Sequence, residues 1–268
     1  AQAARVDVGG VTAVIDPVKE WRQIYWEAWR WQRDYFYDPK FNGVDWNAVG
    51  KKYEAYLDDV KSRSDLNVVL GQMIGELGTG HAYVTAPGDV GPLPRNIPVG
   101  HLGADFEAAG NGLRFAKIYA GNSFVETERG PLSGTDVKEG EFLIAIDGKP
   151  VTAATEPKSL LLNAPGRFVT LTVAKDASGT GKREVRVSPI ASETTLRYVD
   201  FVESNRRKVS QATGGRVGYF HVRNTAAEGA QDFVRGFYPQ TDKEGLIVDE
   251  RWNGGGYIQP WFVDTLAR

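Results

Sequence analysis

Apolar residues recur at helical spacing through the first third of the chain. After Asp16-Pro17, which puts a proline in the first turn of a helix, Val18, Trp21, Ile24, Tyr25, Ala28, Trp29 and Tyr35 share one face. A second helix is predicted after Gly43, with Trp46, Val49, Tyr53, Tyr56 and Leu57 on one side. Ser64 reads as the N-cap of a third, whose inward positions are Leu66, Val69, Leu70, Met73, Ile74 and Leu77. Gly71 and Gly75 fall inside that helix at a cost of about 1 kcal/mol each against alanine, so close packing against a neighbouring backbone is expected there. Gly78 stands where a C-cap glycine would.

Pro87, Gly88, Gly91, Pro92, Pro94 and Pro98 then read as a linker. From there the pattern changes to short strands and turns. Residues 113–118 alternate, 142–146 form an apolar strand, and Asp147-Gly148 is a hairpin turn signal. Residues 156–163 read as a short helix. Residues 168–174 and 183–187 alternate around Ser178-Gly179-Thr180-Gly181, a second hairpin. After Thr194 the rhythm becomes strand, helix, strand, helix: 196–201 extended, 202–213 helical, 216–222 a strand, 228–237 helical and 245–249 a strand. A last helix is expected to open at Tyr257 and to run on to Arg268. This alternation predicts parallel strands with crossover helices.

Composition narrows the chemistry. Lys+Arg 32 against Asp+Glu 34 leaves a net charge of −2, so there is no electrostatic reason to expect nucleic acid or an anionic membrane as a partner. With no cysteine, a thiolate nucleophile, a disulfide and a Cys-ligated zinc site are excluded. No apolar run approaches the ~18 residues that span a bilayer. The chain opens at Ala1 with neither a methionine nor a signal-peptide pattern, which predicts a processed product or a piece of something longer.

Three histidines carry the choice of a general base. His221 lies in an apolar strand and reads as structural. His101, between Gly100 and Leu102, reads as a half-exposed turn residue. His81 follows Gly78-Thr79-Gly80 at the end of an apolar helix, a placement that displays a side chain. Asn253-Gly254-Gly255-Gly256 follows a strand and opens a helix, so its amides suit an anion. The spacing lacks the dinucleotide-binding and P-loop patterns, which leaves an oxyanion hole or a plain turn. No H-E-x-x-H set or G-x-S-x-G elbow is present, and neither a cofactor nor a metal is expected.

Taken in order, these pieces resemble a known family. Glu20-Trp21-Arg22-Gln23-Ile24-Tyr25, Val44-Asp45-Trp46 and Gly75-Glu76-Leu77-Gly78-Thr79-Gly80-His81-Ala82-Tyr83 are similar to the first helical core domain of tricorn proteases, within the tail-specific, C-terminal-processing serine peptidases. Gly100-His101-Leu102-Gly103-Ala104-Asp105-Phe106 and the run from Glu139 to Gly148 resemble their PDZ-like insertion. Gly218-Tyr219-Phe220-His221-Val222 and the run from Leu246 to Gly256 resemble the start of the second core domain.

The resemblance implies an α+β multidomain chain. Residues 1–17 are a linker and 18–95 a helical core domain bearing the base. Residues 96–192 are a PDZ-like β-rich domain, and 193–268 the first part of an α/β, crotonase-like core. It implies His81 as general base and the Gly254–Gly256 turn as oxyanion hole, with Gly255 first and Gly254 next as donor, and it implies Leu102, Gly103 and Ala104 as the peptide-binding loop if that groove is open. Partners are then peptides or unfolded polypeptides, with a homo-oligomer in keeping with family members that form rings. A cytoplasmic location is expected, with a periplasmic or secreted one as the alternative.

Two departures stand out. Gly80 replaces the serine that usually precedes the histidine, and no serine here has the family's nucleophile context, so this segment alone is expected to be inactive. The alternatives are a non-catalytic PDZ-type peptide binder and a crotonase-like acyl-CoA enzyme.

Overall fold

The computed structural model describes residues 10, 12–85, 96–122 and 125–267. Helix α1 (Pro17–Tyr35) begins where the Asp16 carboxylate accepts the Lys19 amide, and Pro17 costs no hydrogen bond in a first turn. Helix α2 (Trp46–Glu54) is capped in the same way by Asp45. Helix α3 (Arg63–Gly75) is capped by Ser62, whose hydroxyl accepts the Asp65 amide. The cap is therefore Ser62 and not Ser64: Ser62 has the extended dihedrals a cap needs, and Ser64 is already helical.

The core of this region joins Tyr25, Trp46, Val49, Leu66, Leu70, Met73 and Leu77. Its aromatic residues satisfy their polar atoms reciprocally, as burial demands. Trp29 Nε1 donates to the Trp46 carbonyl at 2.9 Å and Trp46 Nε1 to the Trp29 carbonyl at 3.0 Å, while the Tyr25 hydroxyl donates to the Gly50 carbonyl at 2.6 Å. Close backbone approach occurs at Gly50, where a Cβ would stand 2.7 Å from the Trp29 indole nitrogen. Gly71 and Gly75 face open space, with nothing within 4 Å of a Cβ, so the packing expected of them is absent. Tyr56 is also exposed, because α2 ends at Glu54 and the following turn buries only Leu57.

The middle of the chain is an antiparallel sheet of β1 (Ala104–Ala109), β2 (Gly112–Ile118), β3 (Phe142–Ile146), β4 (Lys149–Pro150), β5 (Val169–Ala174) and β6 (Arg183–Val187). The order is β1-β2-β3-β5-β6, with β4 paired to β3. Asp147 (φ 47°) and Gly148 (φ 76°) make the two-residue turn that closes the β3–β4 hairpin, a turn that needs positive φ at both positions. The short helix expected at 156–163 is a single 3-10 turn, Pro157–Leu160. Phe115, Leu143, Ile146, Leu171 and Val173 form the buried layer.

Helix α4 (Thr194–Thr213) is continuous, where the pattern predicted a strand at 196–201 before a helix. Tertiary packing decides the matter: Leu196 is 2% exposed, Lys117 pairs with Asp200 at 2.5 Å, and Asn205 donates to the Tyr219 hydroxyl at 3.1 Å. The helix therefore touches both the antiparallel sheet and the parallel pair that follows. That pair, β7 (Val217–His221) and β8 (Gly245–Asp249), is joined through α5 (Ala227–Phe237) and sets His221 opposite Asp249. Helix α6 (Gln259–Leu266) ends at Leu266, short of the chain end at Arg268.

The chain divides into two compact units, residues 1–95 and 96–268. The antiparallel sheet and the parallel pair share the second. The predicted linker, apart from Pro98, lies outside the described residues. Among the described residues no helix is long and apolar enough to cross a membrane, and no group of three or more His, Asp or Glu could hold a metal ion.

Candidate functional site

In the first unit, His81 stands on a turn that runs on from α3. The chain leaves the helix through buried Leu77 and left-handed Gly78 (φ 60°), and His81 itself is left-handed at φ 63°. Such a conformation is uncommon outside glycine and is several-fold enriched at histidine. The ring is exposed and meets Tyr83 edge-on at 6.2 Å. Gly80 has nothing within 4 Å of a Cβ, so space does not explain the absence of a serine there.

The turn is held by a residue the sequence reading passed over. Asn42 Nδ2 donates to the Leu77 carbonyl at 2.8 Å and to Thr79 Oγ1 at 3.1 Å, while its Oδ1 accepts the Tyr37 hydroxyl at 3.0 Å. Asn42 is itself left-handed at φ 56°, which asparagine tolerates well. The only sequence signal was the Asn42-Gly43 turn dipeptide. Asn42→Ala is expected to cost about 1–2 kcal/mol and to raise amide exchange at residues 78–81 about tenfold, as read by hydrogen–deuterium exchange.

In the second unit, the Asn253-Gly254-Gly255-Gly256 stretch forms a bend laced to the loop after β7. Gly254 donates its amide to the Arg223 carbonyl at 2.9 Å, and Gly255 donates to Asn253 Oδ1 at 2.7 Å. Thr225 donates to the Gly255 carbonyl at 2.8 Å and accepts from the amides of Tyr257 and Ile258. Asn253 Nδ2 in turn donates to the Val222 carbonyl at 3.0 Å. Both amides expected at an oxyanion hole therefore already have acceptors, Gly254 from the main chain and Gly255 from an adjacent side chain.

His221 is buried at 4% exposure and both its ring nitrogens are engaged. Nε2 donates to the Arg251 carbonyl at 2.7 Å, and Nδ1 lies 3.0 Å from the Tyr198 hydroxyl, which is equally close to Asp232 Oδ2. Burial and the Asp232 charge push the Tyr198 pKa up. Asp249, held far below the usual carboxylate range by the Arg251 guanidinium and the Tyr219 hydroxyl, completes a network that anchors both sides of the bend. Its burial in β7 and its two engaged nitrogens are what the structural reading of His221 predicts.

The loop at residues 100–104 leads into β1 beside a cavity of about 440 Å³. His101 bridges to Ile190 through the main chain and is half-buried, matching the expected exposure in an extended rather than a turn setting. Gly103 (φ 70°) donates its amide to Glu193 Oε1 at 2.9 Å. Glu193, 7% exposed, takes Arg197 Nε at 3.1 Å and Nη2 at 2.8 Å on its other oxygen. Arg197 also donates to Asp105 and to the Tyr119 hydroxyl, and its guanidinium lowers the Asp105 pKa. Burial and the hydrogen bond to Asp105 push Tyr119 up to about 12. The only local signal here is the i,i+4 spacing of Glu193 and Arg197; their other partners, Gly103, Asp105 and Tyr119, lie far away in the chain.

Residues 17–75 match the family model of the tricorn protease C1 domain, and residues 100–192 match that of the tricorn protease PDZ domain. A putative tricorn protease homolog 2 of Streptomyces coelicolor is 37% identical over 98% of this chain and 23% of its own length. The tricorn protease homolog of Saccharolobus solfataricus is 32% identical over 97% of this chain and 24% of its own. The crystal structure of the tricorn protease aligns at a TM-score of 0.83 and 28% identity, covering 97% of this chain and 25% of that one. The chain thus spans about a quarter of the length of the relatives it matches. Over the stretch that carries C1 and PDZ domains, it belongs to the tricorn protease family.

Proposed function

We propose that these residues supply the general base, an oxyanion amide and a peptide-binding module to a serine endopeptidase that cleaves peptides or unfolded proteins through an acyl-enzyme. The observation that carries this reading is His81, an exposed imidazole on a left-handed turn clasped by Asn42. His81 takes the proton from a serine hydroxyl as that oxygen attacks the scissile carbonyl, then returns it to the departing amine. Water, activated by the same ring, releases the acyl group.

Gly255 is the first oxyanion donor. Its present acceptor is a neutral side-chain carbonyl on an exposed bend, and a developing oxyanion is the stronger acceptor and displaces it. Gly254, tied to the Arg223 carbonyl, holds the shape of the bend. The domain division follows the same reading, with 18–95 as the helical core, 96–192 as the PDZ-like module and 193–268 as the first part of the second core. In the module, strand addition along β1 holds an extended peptide.

The nucleophile lies outside these 268 residues. A serine-directed fluorophosphonate probe is expected to leave the isolated chain unlabelled, as read by intact-mass spectrometry. Stoichiometric labelling of one serine would place a nucleophile within it and overturn the assignment.

A further inference from the structure

We infer that Glu193 is a built-in ligand of the loop at residues 100–104, seated where a peptide's terminal carboxylate would dock. The adjoining groove then takes extended peptide in mid-chain and rejects free C-termini. The inference rests on the reading of residues 96–192 as a peptide-binding module.

A carboxylate-capturing loop offers an amide turned outward by a left-handed glycine, with a cation nearby to balance the charge. Both are present, and both are taken. The Gly103 amide binds one oxygen of Glu193 and the Arg197 guanidinium binds the other. The seat is built rather than incidental. A buried carboxylate survives only with such partners, and Leu196, three residues further on, fits against Gly103 so tightly that a Cβ there would lie 2.9 Å from its Cδ1.

Glu193 and Arg197 line the same cavity as Leu102, Ala104 and Phe106, so a second carboxylate entering there finds the Gly103 amide and the Arg197 guanidinium already engaged. Strand addition has no such obstacle. Among the described residues strand β1 ends the sheet and pairs only with β2, which leaves its outer edge for a peptide backbone. His101 Nδ1, buried without a hydrogen-bond partner among the described residues and 3.9 Å from Glu193 Oε1, gives the seat one unused polar atom.

The test measures the full chain against a fluorescein-labelled octapeptide of alternating valine and threonine, with a free C-terminal carboxylate or a C-terminal amide. The native chain is expected to bind the two within about threefold, and Glu193→Ala to prefer the free carboxylate by about tenfold or more. Glu193→Gln, which keeps an acceptor for Gly103, is expected to show no preference. Its Gly103 amide proton resonance should move upfield, because a neutral acceptor is weaker.

A native chain that already prefers the free carboxylate tenfold overturns the inference, and so does an unmoved Gly103 resonance in Glu193→Gln. The resonance decides the matter even where Glu193→Ala fails to fold. If no form of the chain binds either peptide while Gly103 moves, Glu193 stands as the loop's ligand and the peptide-module reading falls.

Discussion

Replacing His81 with asparagine is expected to lower peptide hydrolysis by about 10⁴-fold or more in the nucleophile-complemented peptidase, with KM little changed. Asparagine is the informative substitution because it accepts the left-handed backbone that His81 holds at φ 63°. The Asn42 clasp engages Leu77 and Thr79 rather than the imidazole, so the turn keeps its supports. The ring is exposed and touches Tyr83 only edge-on, and stability should change by less than about 1 kcal/mol. Steady-state kinetics on a peptide amide, paired with thermal unfolding, separate the two effects. A variant that keeps a tenth of native kcat removes His81 from the role of base.

The second large effect concerns stability and distinguishes three adjacent glycines. Gly256 sits at φ 149°, a region that only glycine occupies readily, and a Cβ there would run into the Thr225 carbonyl. That carbonyl accepts the two amides tying the bend to the loop after β7, so it has little freedom to retreat. Gly256→Ala is expected to cost roughly 3 kcal/mol or more, or to prevent folding of the second unit.

Gly254→Ala should cost under about 1 kcal/mol, since its nearest atoms stand 3.8 Å away and its φ is not positive. Gly255 falls between the two: its φ is 77°, but nothing lies within 4 Å of a Cβ. Denaturant titration of the Gly254 and Gly256 variants tests the ordering, and equal stability of the two would contradict the bend described here.

Much of the architecture was legible because its signals are short-range. Asp16 and Asp45 cap the amides three residues ahead, so their helices could be read from a few letters. The Asp147-Gly148 turn needs only its own two residues. Errors arose where two local signals competed or a distant surface intervened. Ser62 and Ser64 are equally good cap residues, and backbone conformation alone selects between them. The run at 196–201 has a strand's composition, yet it is helical, with Leu196 packed against Gly103 and Tyr198 and Phe201 against His221 of β7.

The candidate site divides along the same line. By itself the sequence determined that a histidine follows a glycine turn at the end of an apolar helix, that a triple glycine follows a strand, and that a β-rich segment lies between them. Those features, and the tricorn resemblance they carry, depend on neighbours in the chain. Only the tertiary structure decided what each group touches. It joined Glu193 to an amide 90 residues away, brought Asn42 to a turn 35 residues on, and gave the Gly254 amide its acceptor on Arg223. A hydrogen bond reads the position and direction of two groups, and for partners so far apart in sequence no periodicity or composition encodes either one.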